Sequence, residues 1–200
     1  MNQGIIKFAF IVVCMLLVLM TRRYAVSKRD WLFLTLAMGA TLAADFFLLI
    51  VRAYPVGVTV FWFAHVFHTL RFSGKRALLF FPLALPVPIV FLIVTGNALV
   101  AISMVYMGLF IMSIAAMIFA VKNKKYPPPN NILIVTGMIL FVLCDIHVAL
   151  FNLGNMGAIN NHALTEYAVD AIWLFYAPAQ ICLAFSAMQF NKAVTPYSLD

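Results

Sequence analysis

Residues 43–50 read AADFFLLI, and residues 139–146 read ILFVLCDI. Each is a greasy run with one carboxylate set inside it, and what surrounds Asp45 and Asp145 decides the fold. The chain has 200 residues, of which 66% are hydrophobic and 10% charged, with a mean hydropathy of +1.06. A soluble domain carries about 25% charged residues. A surplus of apolar surface this large cannot be hidden in a soluble core of this size, so the solvent is lipid. Lipid requires every backbone polar group to be satisfied within the segment, which leaves helices or a closed barrel. A barrel strand alternates apolar and polar residues, whereas these runs are continuously apolar. The expectation is an all-α, polytopic membrane helix bundle.

Seven segments are long enough, or nearly so, to cross about 30 Å of hydrocarbon. They run roughly over residues 4–20, 31–51, 56–72, 77–93, 98–121, 130–152 and 166–190. Between them lie punctuation signals: Asp30 as an N-cap before the second span, a turn at Tyr54-Pro55-Val56-Gly57, and a stop at Tyr126 to Pro129. Asn152 to Asn161 reads as a polar loop. Lys and Arg cluster in the first, third and fifth loops and after the last span, eleven against two for Lys7 and Arg52 on the other side. Positive residues stay in the cytoplasm. Seven transmembrane helices with the N-terminus outside and the C-terminus cytoplasmic follow, as a single transmembrane domain over residues 1–200. The first run lacks a small-residue cleavage site, so it reads as a span and not a removable leader. Because the net charge of +7 sits in these short loops, no nucleic-acid partner is expected.

Asp45, Asp145 and Asp170 fall inside spans, with Glu166 at the mouth of the last. An Asp at a helix centre costs about 2.5–3.5 kcal/mol on insertion scales, so such residues face the bundle interior and are functional by default. The bland alternative is an interhelical hydrogen bond worth about 0.6 kcal/mol. Depth favours the first. At about 1.5 Å per residue, Asp45 and Asp145 lie roughly 9–10 Å below the outer boundary, His65 about 13 Å and Tyr176 about 15 Å. Four polar groups from four helices thus share one layer, whereas Asp170 sits within about 6 Å of the outer end. His65 and His68 share a face, as do Trp173, Tyr176 and Gln180, while His147 points away from Asp145. Cys14, Cys144 and Cys182 have no metal-ligand spacing and read as small apolar fillers. Pro82, Pro86, Pro88 and Pro178 bend or open their helices.

Two carboxylates in one dry pocket cannot both stay ionised cheaply. One protonated and one anionic Asp is the arrangement that acid/base hydrolysis needs, and it suits proton-coupled transport equally well.

Four blocks of the sequence carry a resemblance. Residues 36–50 (LAMGATLAADFFLLI), 57–68 (GVTVFWFAHVFH), 136–145 (TGMILFVLCD) and 175–180 (FYAPAQ) resemble, in order and spacing, the conserved blocks of the membrane YhhN family, over roughly residues 5–190. The departures are Ala44 for Gly, Cys144 for Ser, His68 for Tyr, and seven spans where eight are typical. The family includes lysoplasmalogenases, which cleave the vinyl ether bond of lysoplasmalogens to a fatty aldehyde and a glycerophospho-headgroup. The resemblance implies that Asp45 and Asp145 are the catalytic pair. His65, His68, Tyr176 and Gln180 would orient the substrate or bind it, with no metal and no cofactor. The partners expected are a lysolipid drawn from the bilayer and the lipid membrane itself. The location would be the cell membrane in a bacterium or the endoplasmic reticulum in a eukaryote; oligomeric state stays open. Alternatives are a metal-dependent lipid hydrolase with Asp45, His65, His68 and Asp145 as ligands, a proton-coupled transporter, and a haem protein using His65.

Overall fold

A computed structural model describes residues 3–155 and 161–190. Among these residues the chain is all-helical. Helix α1 spans Gln3–Met20, α2 Lys28–Asp45, α3 Tyr54–Ser73, α4 Pro86–Thr95, α5 Ala98–Lys122, α6 Asn130–Asn155 and α7 His162–Phe185. Six helical segments are long and apolar enough to cross a membrane. The exception is α3. It is 20 residues long, but His65, His68 and Arg71 lower its hydropathy, and all three are buried against other helices. The outward faces are apolar instead: Leu79, Ile93 and Val94 are each more than three-quarters exposed. Such a surface would aggregate in water and is at home in hydrocarbon.

Helix α3 packs between α2 and α5, α6 pairs with α7, and α1 closes against α2 and α7. These contacts are close because small residues allow them. A Cβ added to Gly57 would stand 2.5 Å from Leu48 Cγ and 3.2 Å from the Ala44 carbonyl oxygen, so glycine lets α3 approach α2 beside Asp45. A Cβ on Gly137 would come within 2.9 Å of Leu183 Cγ, which fixes the α6–α7 contact in the same way. Packed into the space between are Phe61, Phe110, Phe141, Met138 and Leu183.

Several local expectations are corrected. The second span does not end as a plain α-helix: after Asp45 the chain widens into a π-helical turn, Phe46–Val51. Arg52, in the left-handed region at φ 60°, turns the chain, and Tyr54 to Gly57 is already the first turn of α3 with Pro55 in its first positions. Proline is preorganised for a helix start, which accounts for the shift. The fourth span is split. Residues Lys75–Ala84 form a 3₁₀ stretch containing Pro82, and α4 begins only at Pro86. Asp30 does not cap α2; Ser27 does, accepting from the Asp30 amide at 3.5 Å. The loop expected between residues 152 and 161 lies mostly outside the described residues, as does Lys192.

Asp30 has another task. Arg71 donates to it twice, from Nε at 2.9 Å and from a terminal nitrogen at 2.8 Å, and the Tyr126 hydroxyl donates at 2.6 Å. The second terminal nitrogen of Arg71 donates to Ser186 Oγ at 2.9 Å. Lys125 Nζ donates to the Arg71 and Phe72 carbonyls, and Asn130 donates to those of Ser186 and Met188. This buried network ties the ends of α2, α3 and α7 to the α5–α6 connection, at the end of the bundle that carries the basic loops. Burial first, and the Asp30 charge second, push the Tyr126 phenol well above its usual value, so it remains a donor.

Candidate functional site

Asp45 ends the α-helical part of α2, and Asp145 lies in the second half of α6; both are buried. Each is met by one phenol. The Tyr176 hydroxyl of α7 donates to Asp45 Oδ2 at 2.6 Å. The Tyr106 hydroxyl of α5 donates to Asp145 Oδ2 at 2.7 Å. Among the described residues these are the only side-chain hydrogen bonds the two carboxylates make, and no Lys or Arg pairs with either. O–H donors to carboxylate are short and strong, so the phenols fix the carboxyl orientation without bringing a countercharge.

The two halves are joined by an aromatic cluster. The His65 ring stands 4.9 Å from Tyr106 and 5.5 Å from Phe141, centre to centre, and Phe141 stands 5.8 Å from Tyr176. Cys144 lies within electrostatic range of both carboxylates. Five helices, α2, α3, α5, α6 and α7, therefore contribute to one polar layer walled by rings.

His65 is fully buried; its Nδ1 lies 3.5 Å from Ser113 Oγ, and its Nε2 has no hydrogen-bond partner. His68 and Gln180 lie one helical turn further toward the basic end. Both are buried; His68 Nδ1 and both amide atoms of Gln180 are likewise unpartnered, and neither side chain bonds to a carboxylate. Buried polar atoms of this kind are costly unless something polar meets them. His147 stays apart, with Nδ1 2.7 Å from the Leu143 carbonyl and its ring stacked on Phe175 at 5.2 Å.

Depth counting on the sequence passed over Tyr106, although the signal was there. It lies eight residues into α5, at about 12 Å by helical rise, in the same layer as the four groups that were counted. The four-ligand arrangement of Asp45, His65, His68 and Asp145 is not assembled: among the described residues no three His, Cys, Asp or Glu side chains come together as metal ligands. The phenols and rings stand between them instead.

The YhhN family model matches residues 3–187, nearly the whole chain. No curated protein and no solved structure matches.

Proposed function

The chain belongs to the YhhN family, and from that membership and its paired buried aspartates we propose that it is an intramembrane hydrolase that cleaves the vinyl ether bond of lysoplasmalogens. The observation that carries this is the pair itself: two carboxyls that meet no cation among the described residues, each oriented by one tyrosine, in one ring-walled layer of the bundle.

A vinyl ether is hydrolysed by protonation at its β-carbon. One aspartic acid, keeping its proton in the dry layer, transfers it to that carbon and becomes a carboxylate. The resulting oxocarbenium ion is stabilised by the two negative charges now facing it. Water adds to the cationic carbon and gives a proton to the second carboxylate. The hemiacetal then collapses. Its hydroxyl proton returns to the first Asp, the second Asp protonates the departing glycerol oxygen, and both groups recover their starting states. Fatty aldehyde and glycerophospho-headgroup leave. The roles follow from which Asp starts protonated, and the scheme runs in either sense. Tyr106 and Tyr176 hold the carboxyl planes. His65, His68 and Gln180 offer unpartnered polar atoms for water or the substrate oxygens.

The test is aldehyde release by purified protein given a lysoplasmalogen and, separately, a matched ester lysolipid. Aldehyde from the vinyl ether, and no fatty acid from the ester, is the expected result. Cleavage of the ester alone would overturn the assignment.

A further inference from the structure

Among the described residues, Lys7 and Arg52 are the two Lys or Arg at the end of the bundle away from the basic loops. Lys7 is partly buried and does not extend freely into solvent. A lysine near a helix end ordinarily snorkels toward water. Here Nζ is laid over the Trp173 ring, 5.0 Å from its centre, and lies within electrostatic range of the Asp170 carboxylate. Trp173 stands edge-on to Tyr176 at 5.1 Å, and Tyr176 holds Asp45. The next residue in the chain, Phe8, packs at 5.9 Å against Phe46, which directly follows Asp45. Two independent sets of contacts thus set Lys7 at the outer rim of the bundle beside the Asp45 site, at the seam of α1 and α7.

Asp170, Trp173 and Tyr176 are three residues apart and share one face of α7, descending about 4.5 Å per step. From the outer end of α7 inward that face presents an exposed carboxylate, an aromatic ring and the phenol bound to Asp45. A cation lies over the ring. The rim therefore offers one positive and one negative group near a flat aromatic surface. A lysolipid with a zwitterionic headgroup has the matching charges: a phosphate that a lysine binds as a point charge, and an ammonium that suits a carboxylate and an indole face. Its vinyl ether lies across the three-carbon glycerol from the phosphate, so a headgroup held at the rim sets the reacting carbon deeper, toward the aspartates.

We propose that Lys7 and Asp170, together with the Trp173 ring, form the headgroup site of this protein, with Lys7 on the phosphate and Asp170 on a cationic amine. The inference rests on the ether-hydrolase reading for the choice of ligand.

The site is tested with non-cleavable ligands and full-length protein in detergent. Three saturated alkyl ethers are titrated: a 1-alkylglycerol, its 3-phosphate, and its 3-phosphoethanolamine. The expected result is that Lys7→Gln weakens both phosphate ligands about tenfold, the size of one charge-assisted contact, and leaves the alkylglycerol unchanged. Asp170→Asn weakens the phosphoethanolamine ligand alone, and Lys7→Arg binds as the parent does. Equal losses for all three ligands, or no loss for any, would overturn the site. Should Lys7→Gln fail to fold, the exposed Asp170→Asn variant and Lys7→Arg decide the matter by the same pattern. A parent protein that binds in this pattern but releases no aldehyde from a lysoplasmalogen would end the hydrolase reading and leave the headgroup site standing.

Discussion

Three buried aspartates sit in this bundle in two chemically different settings. Asp30, at the basic end, is gripped by both arms of the Arg71 fork and by the Tyr126 hydroxyl. Asp45 and Asp145, in the polar layer, each have one tyrosine and, among the described residues, no cation. A carboxylate with a bidentate arginine is held in place by two charge-assisted bonds and carries its countercharge with it. A carboxyl group with a single phenol has one oriented bond and no countercharge. The same side chain is thus a rivet at one end and, in the proposed mechanism, a reagent in the layer, and the neighbour makes the difference.

The largest expected effect exploits this difference directly. Asp45→Asn and Asp145→Asn preserve shape and a hydrogen-bond acceptor while removing the acid or the base. Each should lower aldehyde release by about 10²–10⁴-fold with little change in the thermal midpoint. Asp30→Asn should do the reverse, lowering the midpoint and leaving turnover per folded molecule near the parent value. If Asp45→Asn turned over normally, the two settings would not differ in the way described.

The second test breaks the rivet from the other side. Arg71→Met leaves the Asp30 charge buried without its partner and should cost about 3–5 kcal/mol, read from unfolding in detergent. Adding Asp30→Leu removes the orphaned charge, and the double variant should recover most of that loss, since a well-packed apolar pair often replaces a buried ion pair at no cost. A double variant as unstable as the single one would show that Arg71 acts mainly through Ser186 and the α7 end.

How much of this was legible beforehand follows from the same contrast. The membrane bundle could be read because it is a property of composition: continuous apolar runs separated by charged loops mark helices in lipid whatever their packing. The layer of Asp45, Asp145, His65 and Tyr176 could be found because depth along a helix is proportional to residue count. Its partners could not be assigned that way, since depth does not say which helices are neighbours; Tyr106 belongs to Asp145 only because α5 meets α6 at that height. The rivet was hidden for a further reason. In sequence Arg71 reads as a loop cation that sets orientation, and Asp30 as a helix cap. Both are ordinary tasks for those residues at a span end, and only the packing of α2 against α3 turns them to each other. The split at Leu85 was signalled by Pro82, Pro86 and Pro88, but a proline kink and a change to 3₁₀ winding look alike in sequence.

The smallest effect sharpens the comparison most, because it makes the same chemical change in both settings. Tyr126→Phe and Tyr106→Phe each delete one hydroxyl that donates to a buried Asp, at 2.6 Å and 2.7 Å. Hydrogen bonds to charged groups contribute about 1.5–3 kcal/mol, so neither loss is negligible. At Asp30 the carboxylate keeps its arginine, and the loss should fall on stability alone, with aldehyde release unchanged per folded molecule. At Asp145 the phenol is, among the described residues, the only side-chain group orienting the carboxyl, so the loss should fall mainly on kcat, by about tenfold, with KM nearly constant. Tyr176→Phe at Asp45 should behave like Tyr106→Phe. Because the two tyrosines act on different carboxyls, the double variant should lose close to the product of the two single effects. A double variant no slower than either single one would mean that the phenols hold one shared proton network and not two separately aimed groups.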